Sequence, residues 1–256
     1  MSLAFSVPLQ VSASGHAFGG LHAAAVDQIG AWIVQGRILP GELLPNSNDP
    51  TLGISRSVLR EAIKVLAGKG LVESRPKTGT RVRPRADWNF LDADVLAWRY
   101  SGAITTEDVR ALFELRMAIE PMAAFLAATR ATDEQLAVIE AALAEMAVVA
   151  HDGELFAKPD LAFHQTILRM TGNELIGSIA ALIETALVTS FRLSNDSPDG
   201  QGPSLPLHRA VAEKIAARDP IGAQQAMIVL LKGAEQDVSR VVEGRNRRRG
   251  GKGIKA

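Results

Sequence analysis

The feature that most restricts the fold is a change of hydrophobic period inside one short stretch, GISRSVLREAIKVLAGKGLVESRPKTGTRV, residues 53–82. From Ser55 to about Gly70 the apolar residues Val58, Leu59, Ala62, Ile63 and Leu66 recur at helical spacing, with Ser55 placed to cap the helix. LVESR and TRVRP then alternate as two short strands, with PKTG as the turn. An earlier helix is predicted over about 22–35, buried through Ala25, Ile29, Trp32 and Ile33 and ended by Gly36 and Pro40. Between them NSNDPTLG, broken by Pro50, leaves room for one helical turn at most. Helix, short helix, helix and hairpin make a winged helix-turn-helix.

After a linker over 85–104 no strand pattern appears. Helices are expected from Thr105 or Thr106 to about 128, from the capping box TDEQ at 132–135, over 154–171, from Asn173 to about 193, over 205–217, and from Asp219-Pro220 to about Gly244. The fold class is therefore mainly α: an N-terminal winged helix-turn-helix over 21–84 and an all-helical bundle over 105–244. Residues 1–20 are read as a flexible arm and 245–256 as a basic disordered tail.

Charge supports two units with different partners. The formal net charge is zero, yet residues 1–85 carry +5, residues 86–244 carry −11 and the tail carries +6. Without a cysteine the chain has neither disulfides nor thiolate metal sites, which fits a cytoplasmic protein. No apolar run is long enough to span a membrane, and the N-terminus has no basic segment of a signal peptide.

Arg56 and Arg60 lie one helical turn apart and share a face. In a helix-turn-helix the start of the second helix meets base edges in the major groove, where arginine reads guanine bidentately. Ser55 and Ser57 suit phosphate oxygens. Lys64, Lys69, Arg75, Arg81 and Arg83 extend the basic footprint, and Lys77, Thr78 and Gly79 form a wing tip able to approach the minor groove. The plainer alternative is a solvated basic helix face.

In the second unit Asp160 and His164 stand at i and i+4, and His208 follows on a later helix. One carboxylate and two imidazoles suit Zn²⁺, Ni²⁺, Mn²⁺ or Fe²⁺; a surface Asp–His pair is the plainer alternative. Arg116 sits within an apolar stripe, as an effector-carboxylate ligand or as an arginine paired with Glu120. Arg192, beside Ser190, is a second effector candidate.

The motifs GRILPGELLP, SRSVLREA and GLV…GTRV resemble the DNA-binding domain of GntR-family transcription regulators. The resemblance places Ser55, Arg56, Ser57 and Arg60 on the family's DNA-contacting positions and Gly79 at its wing tip. NSNDPTL departs from the family: it is shorter by about two residues and lacks an arginine often used for phosphate contact. LFELRMAIEPMAAFLAA, DLAFHQTIL and LHRAVAEKIAARDPIGAQQAM resemble the FCD ligand-binding domain of the FadR-type branch. That resemblance implies a metal held by one Asp and three His, at Asp160, His164 and His208, with Leu230 where the third His is expected. It also implies that Arg116 faces the pocket. WNFLDADVLAW is similar to sugar-acid regulators of the galactonate-operon repressor type. The implied protein is a homodimeric repressor that binds double-stranded operator DNA and a small carboxylate effector, without membrane association or enzymatic activity. The rivals are a metal-dependent helical-bundle enzyme using Asp160, His164 and His208, and a constitutive DNA-binding protein with a non-functional pocket.

Overall fold

A computed structural model describes residues 20–46, 49–102, 104–180, 182–185, 187–188 and 204–250, without the side chains at 21, 154 and 245–250. The chain divides into two compact units, Met1–Gly102 and Ala103–Ala256.

The first unit is built from α1 (Leu21–Val34), α2 (Arg56–Gly68), strands β1 (Val72–Arg75) and β2 (Gly79–Val82), a 3₁₀ turn (Arg85–Asp87) and α3 (Ala93–Tyr100). Ala25, Ile29 and Ile33 of α1 meet Leu59, Ala62 and Leu66 of α2 in one core, which Leu52, Leu71, Val72 and Val82 complete. The expected hairpin forms in antiparallel register, Val72 opposite Val82 and Arg75 opposite Gly79. The PGELL segment adds an extended edge: Val82 N donates to Glu42 O and Leu44 N to Thr80 O. Among the described residues the first arm of the motif is a turn rather than a helix. Asp49 accepts from both Thr51 N and Thr51 Oγ1, and Leu52 fills the core behind it.

The 85–104 linker carries the 3₁₀ turn and α3. Asp92 caps α3 by accepting from Asp94 N and Val95 N. Lys69, read above as part of the basic footprint, is buried, with Nζ 2.8 Å from Asp92 and 2.7 Å from Asp94. Burial pushes its pKa down, but the two carboxylates outweigh burial and raise it. Its charge is spent inside the fold. Trp98 donates from Nε1 to Asp27 and lies so close to Gly30 that a Cβ there would sit 2.4 Å from its ring.

Gly70 ends α2 at φ +78, and a Cβ on it would lie 2.3 Å from the backbone oxygen of Asp87. Gly70→Ala combines a left-handed backbone with a clash against an atom that cannot swing away. It is expected to destabilise the first unit by about 3 kcal/mol, measured by urea unfolding.

The second unit comprises α4 (Thr106–Arg130), α5 (Asp133–Val148), α6 (Gly153–Met170), α7 (Glu174–Ser178), α8 (Leu205–Ala216) and α9 (Pro220–Gly250). Capping boxes open α4 at Thr105/Asp108 and α5 at Thr132/Gln135, and Asp219 caps α9 through Gly222 N. Ala123, Ala124, Ala127 and Ala128 of α4 are buried at the centre, where small side chains let neighbouring helices approach closely. The helix expected from Asn173 is interrupted at Ile179; helical backbone resumes at 180 and is described again in 182–185 and 187–188. The last helix does not stop near Gly244. It continues to Gly250, which replaces a disordered reading of 245–250: arginines are good helix formers, and one glycine costs only about 1 kcal/mol.

Candidate functional site

The first candidate site is the start of α2. Ser55 is its N-cap and accepts from Val58 N; its hydroxyl also meets Ser57 Oγ at 3.0 Å. Arg56, Ser57, Arg60 and Lys64 are exposed. Arg60 is 3.6 Å from Glu61, and Lys64 is 2.9 Å from Glu61. Those exposed pairs are weak and exchange easily for phosphate. At the wing Lys77 takes φ 67 and Gly79 φ 89, and the turn with the first residue of β2 presents Lys77, Thr78 and Gly79 to solvent. The remaining basic residues are partly engaged. Arg75 pairs with Glu73 at 2.8 Å, Arg83 with Asp87 at 3.2 Å, and Arg81 donates to the Gly41 carbonyl.

The second candidate site lies inside the helical unit. α6 brings Asp160 and His164, α8 brings His208, and α4 brings Arg116 and Glu120, none more than 3% exposed. The Asp160, His164 and His208 ligand atoms lie within 4.8 Å of one another. Phe163 packs edge-on against both imidazoles, with ring centroids 5.5 and 5.1 Å away. Arg192 and Ser190 lie outside the described residues. Leu230, at the position of the implied third histidine, is a buried core residue.

The proton pattern follows from the partners. His208 Nδ1 lies 2.8 Å from the Ser204 carbonyl, which can only accept, so Nδ1 carries the proton. Nε2 lies 2.5 Å from Asp160 Oδ1, not in hydrogen-bond alignment. Two electron-rich atoms at that distance repel unless a second proton or a cation lies with them. His164 Nε2 faces Arg116 Nη2 at 3.4 Å. Arginine only donates, so this nitrogen offers a lone pair, and Nδ1 lies 2.5 Å from Glu120 Oε2, again out of hydrogen-bond alignment. A carboxylate behind an imidazole is the arrangement that orients a metal-binding histidine. The residues present thus fit a divalent ion, with Asp160, His164 and His208 as ligands and Glu120 behind them. Sequence reasoning had Glu120 only as a partner of Arg116. Its contact with His164, 44 positions away, depends on how α4 crosses α6.

Arg116 is buried rather than reaching for solvent. It meets Glu120 through Nε at 2.6 Å and Nη2 at 3.5 Å. Burial pushes the Glu120 carboxyl up, but Arg116 and His164 prevail and lower it from 4.5 to about 2. Asp160 is also lowered, burial being outweighed by His208, His164 and Arg116. A depressed folded pKa means stability that is present above the unfolded value and lost as pH falls through the folded one. The ion-free protein is therefore expected to lose thermal stability between pH 4.5 and about 2, with a shallower loss in Glu120→Gln, followed by circular dichroism.

A winged-helix head joined to a helical unit that encloses a buried ionisable cluster defines a DNA-binding transcription regulator. The model of bacterial regulatory proteins of the gntR family matches residues 21–82, and the FCD domain matches 111–233. The Escherichia coli K12 HTH-type transcriptional regulator YieP is 34% identical over 209 residues, 80% of this chain and 89% of its own. The galactonate operon transcriptional repressor of the same organism is 32% identical over 206 residues, 79% of this chain and 90% of its own. The solved structure of Listeria monocytogenes Lar shares the fold, with a TM-score of 0.61 at 18% identity over 87% of this chain and 98% of its own. The chain belongs to the GntR family, and it is a regulator rather than an enzyme. No described helix is long and apolar enough to cross a membrane.

Proposed function

We propose that the protein is a cytoplasmic, homodimeric repressor that releases or engages a two-fold operator in response to a sugar acid. Each protomer lays the start of α2 in the major groove. Arg56 and Arg60 reach base edges, while Ser55, Ser57 and Lys64 hold phosphates and Lys77, Thr78 and Gly79 approach the minor groove. A two-fold dimer matches a two-fold site.

In the helical unit Asp160, His164 and His208 hold a divalent ion, and Arg116 and the ion receive the carboxylate of the effector. A bound divalent ion supplies positive charge and an open coordination position. The protein's own groups orient the acid, exclude water and keep each imidazole in one tautomer. The observation that carries this reading is the convergence of the buried ligand atoms of Asp160, His164 and His208 within 4.8 Å of one another, with His208 Nε2 2.5 Å from Asp160 Oδ1. Similarity to a galactonate operon repressor favours an aldonic acid. Signalling requires that the acid bind one arrangement of the dimer better than the other.

The test is a gel shift and footprint on the DNA flanking the protein's own gene, with and without galactonate and with and without chelator. Two protected half-sites whose affinity changes with galactonate, and no longer changes after chelation, are expected. A protein that binds no flanking DNA overturns the operator reading. Binding that ignores galactonate points instead to a constitutive DNA-binding protein.

A further inference from the structure

We infer that Glu120 sets the charge of the effector, so that the ion-loaded site accepts a monocarboxylate and rejects a dicarboxylate. This rests on the reading of the helical unit as an ion-assisted acid site, and it narrows the ligand that site takes.

Among the described residues, the buried ionisable side chains of this unit are Arg116, Glu120, Asp160, His164 and His208. Among its described side chains, α9 adds only apolar ones to the buried interior. Among these described groups, with the imidazoles held neutral by ligation to the ion, one guanidinium against two carboxylates leaves a single net negative charge. A divalent ion turns that into a single positive charge. One carboxylate cancels it, whereas a second would leave a buried net negative charge far from water, which is strongly unfavourable.

Glu120 decides this count. Its carboxylate engages Arg116 through Nε at 2.6 Å and Nη2 at 3.5 Å and stands 2.5 Å from His164 Nδ1. It offsets the charge of the guanidinium within the protein, so the net charge an incoming acid meets is the surplus left by the ion, although Arg116 still offers it a donor. With Glu120 uncharged, the same loaded site would carry two positive charges and suit a dianion.

The test uses full-length protein loaded with Zn²⁺ and two acids of the same carbon skeleton, galactonate and galactarate, which differ by a second carboxylate in place of the terminal hydroxymethyl. Calorimetric titration of the wild type is expected to show galactonate binding about 100-fold or more tighter than galactarate. Glu120→Gln narrows that ratio at least about tenfold, and Glu120→Asp, which keeps the charge, restores it; a purely structural role would lower both affinities together. Wild-type affinities for the two acids within about tenfold of each other overturn the inference, whatever the variants do, as does a ratio unchanged in Glu120→Gln. If neither acid binds, the Zn²⁺ titration decides. A loss of about tenfold or more in Glu120→Gln, recovered in Glu120→Asp, upholds the charge assignment while refuting the sugar-acid reading. Unchanged Zn²⁺ affinity overturns the charge assignment as well, and a wild type that binds no Zn²⁺ overturns both.

Discussion

Replacing Arg56 and Arg60 together by alanine is expected to weaken binding to the operator by about 30-fold to 20,000-fold, since each bidentate arginine–guanine contact discriminates by about 1–3 kcal/mol. Both side chains are exposed, so the fold should survive. Arg60 gives up only a solvent-exposed pair with Glu61 at 3.6 Å, worth less than about 1 kcal/mol. Binding to unrelated DNA should fall far less, because it depends on the summed basic charge of α2 and the wing. Fluorescence anisotropy on operator and scrambled duplexes, repeated over a salt series, separates the two effects. A base-reading arginine changes the ratio between the duplexes. A phosphate-binding one lowers both and flattens the salt slope by about one unit. Equal affinity of variant and wild type for the operator would remove α2 as the reading helix.

His208→Ala is expected to lower Zn²⁺ affinity by more than about 100-fold, since losing a direct ligand should exceed the 10–100-fold typical of outer partners, and to abolish any effect of galactonate on operator binding. In the ion-free protein it also removes the imidazole that lowers the buried Asp160 carboxyl against burial, which should destabilise that form by about 3 kcal/mol. Isothermal titration of Zn²⁺ and thermal unfolding in chelator read the two consequences separately. Wild-type Zn²⁺ affinity in this variant would show that the cluster is a polar core network and not an ion site.

Much of the architecture was legible because it depends on local chemistry. Ser55, Thr105, Asn173 and Asp219 cap the helices they precede, and the box at Thr132 forms, because a side-chain oxygen two or three residues from an unpaired amide finds it without help from the rest of the chain. Failures occurred where a distant partner intervenes. Lys69 looks like one more basic residue behind Arg56 and Arg60. Only the approach of Asp92 and Asp94, more than twenty positions later, turns it inward and draws α3 into the head. The PGELL segment has no strand pattern of its own and becomes extended because β2 offers it an edge.

The candidate ion site divides along the same line. Asp160 and His164 are one helical turn apart, so their common face follows from the repeat of the helix. Their meeting with His208, the turn of its Nδ1 towards Ser204 and the position of Glu120 between Arg116 and His164 depend on the crossing of three helices. What the residue order alone determined is the set of elements, their caps and the exposed arginine pair at the start of α2, all consequences of interactions within a few residues. The tertiary structure decided which charges are buried and what they face, because burial and electrostatics depend on distance in space and not along the chain.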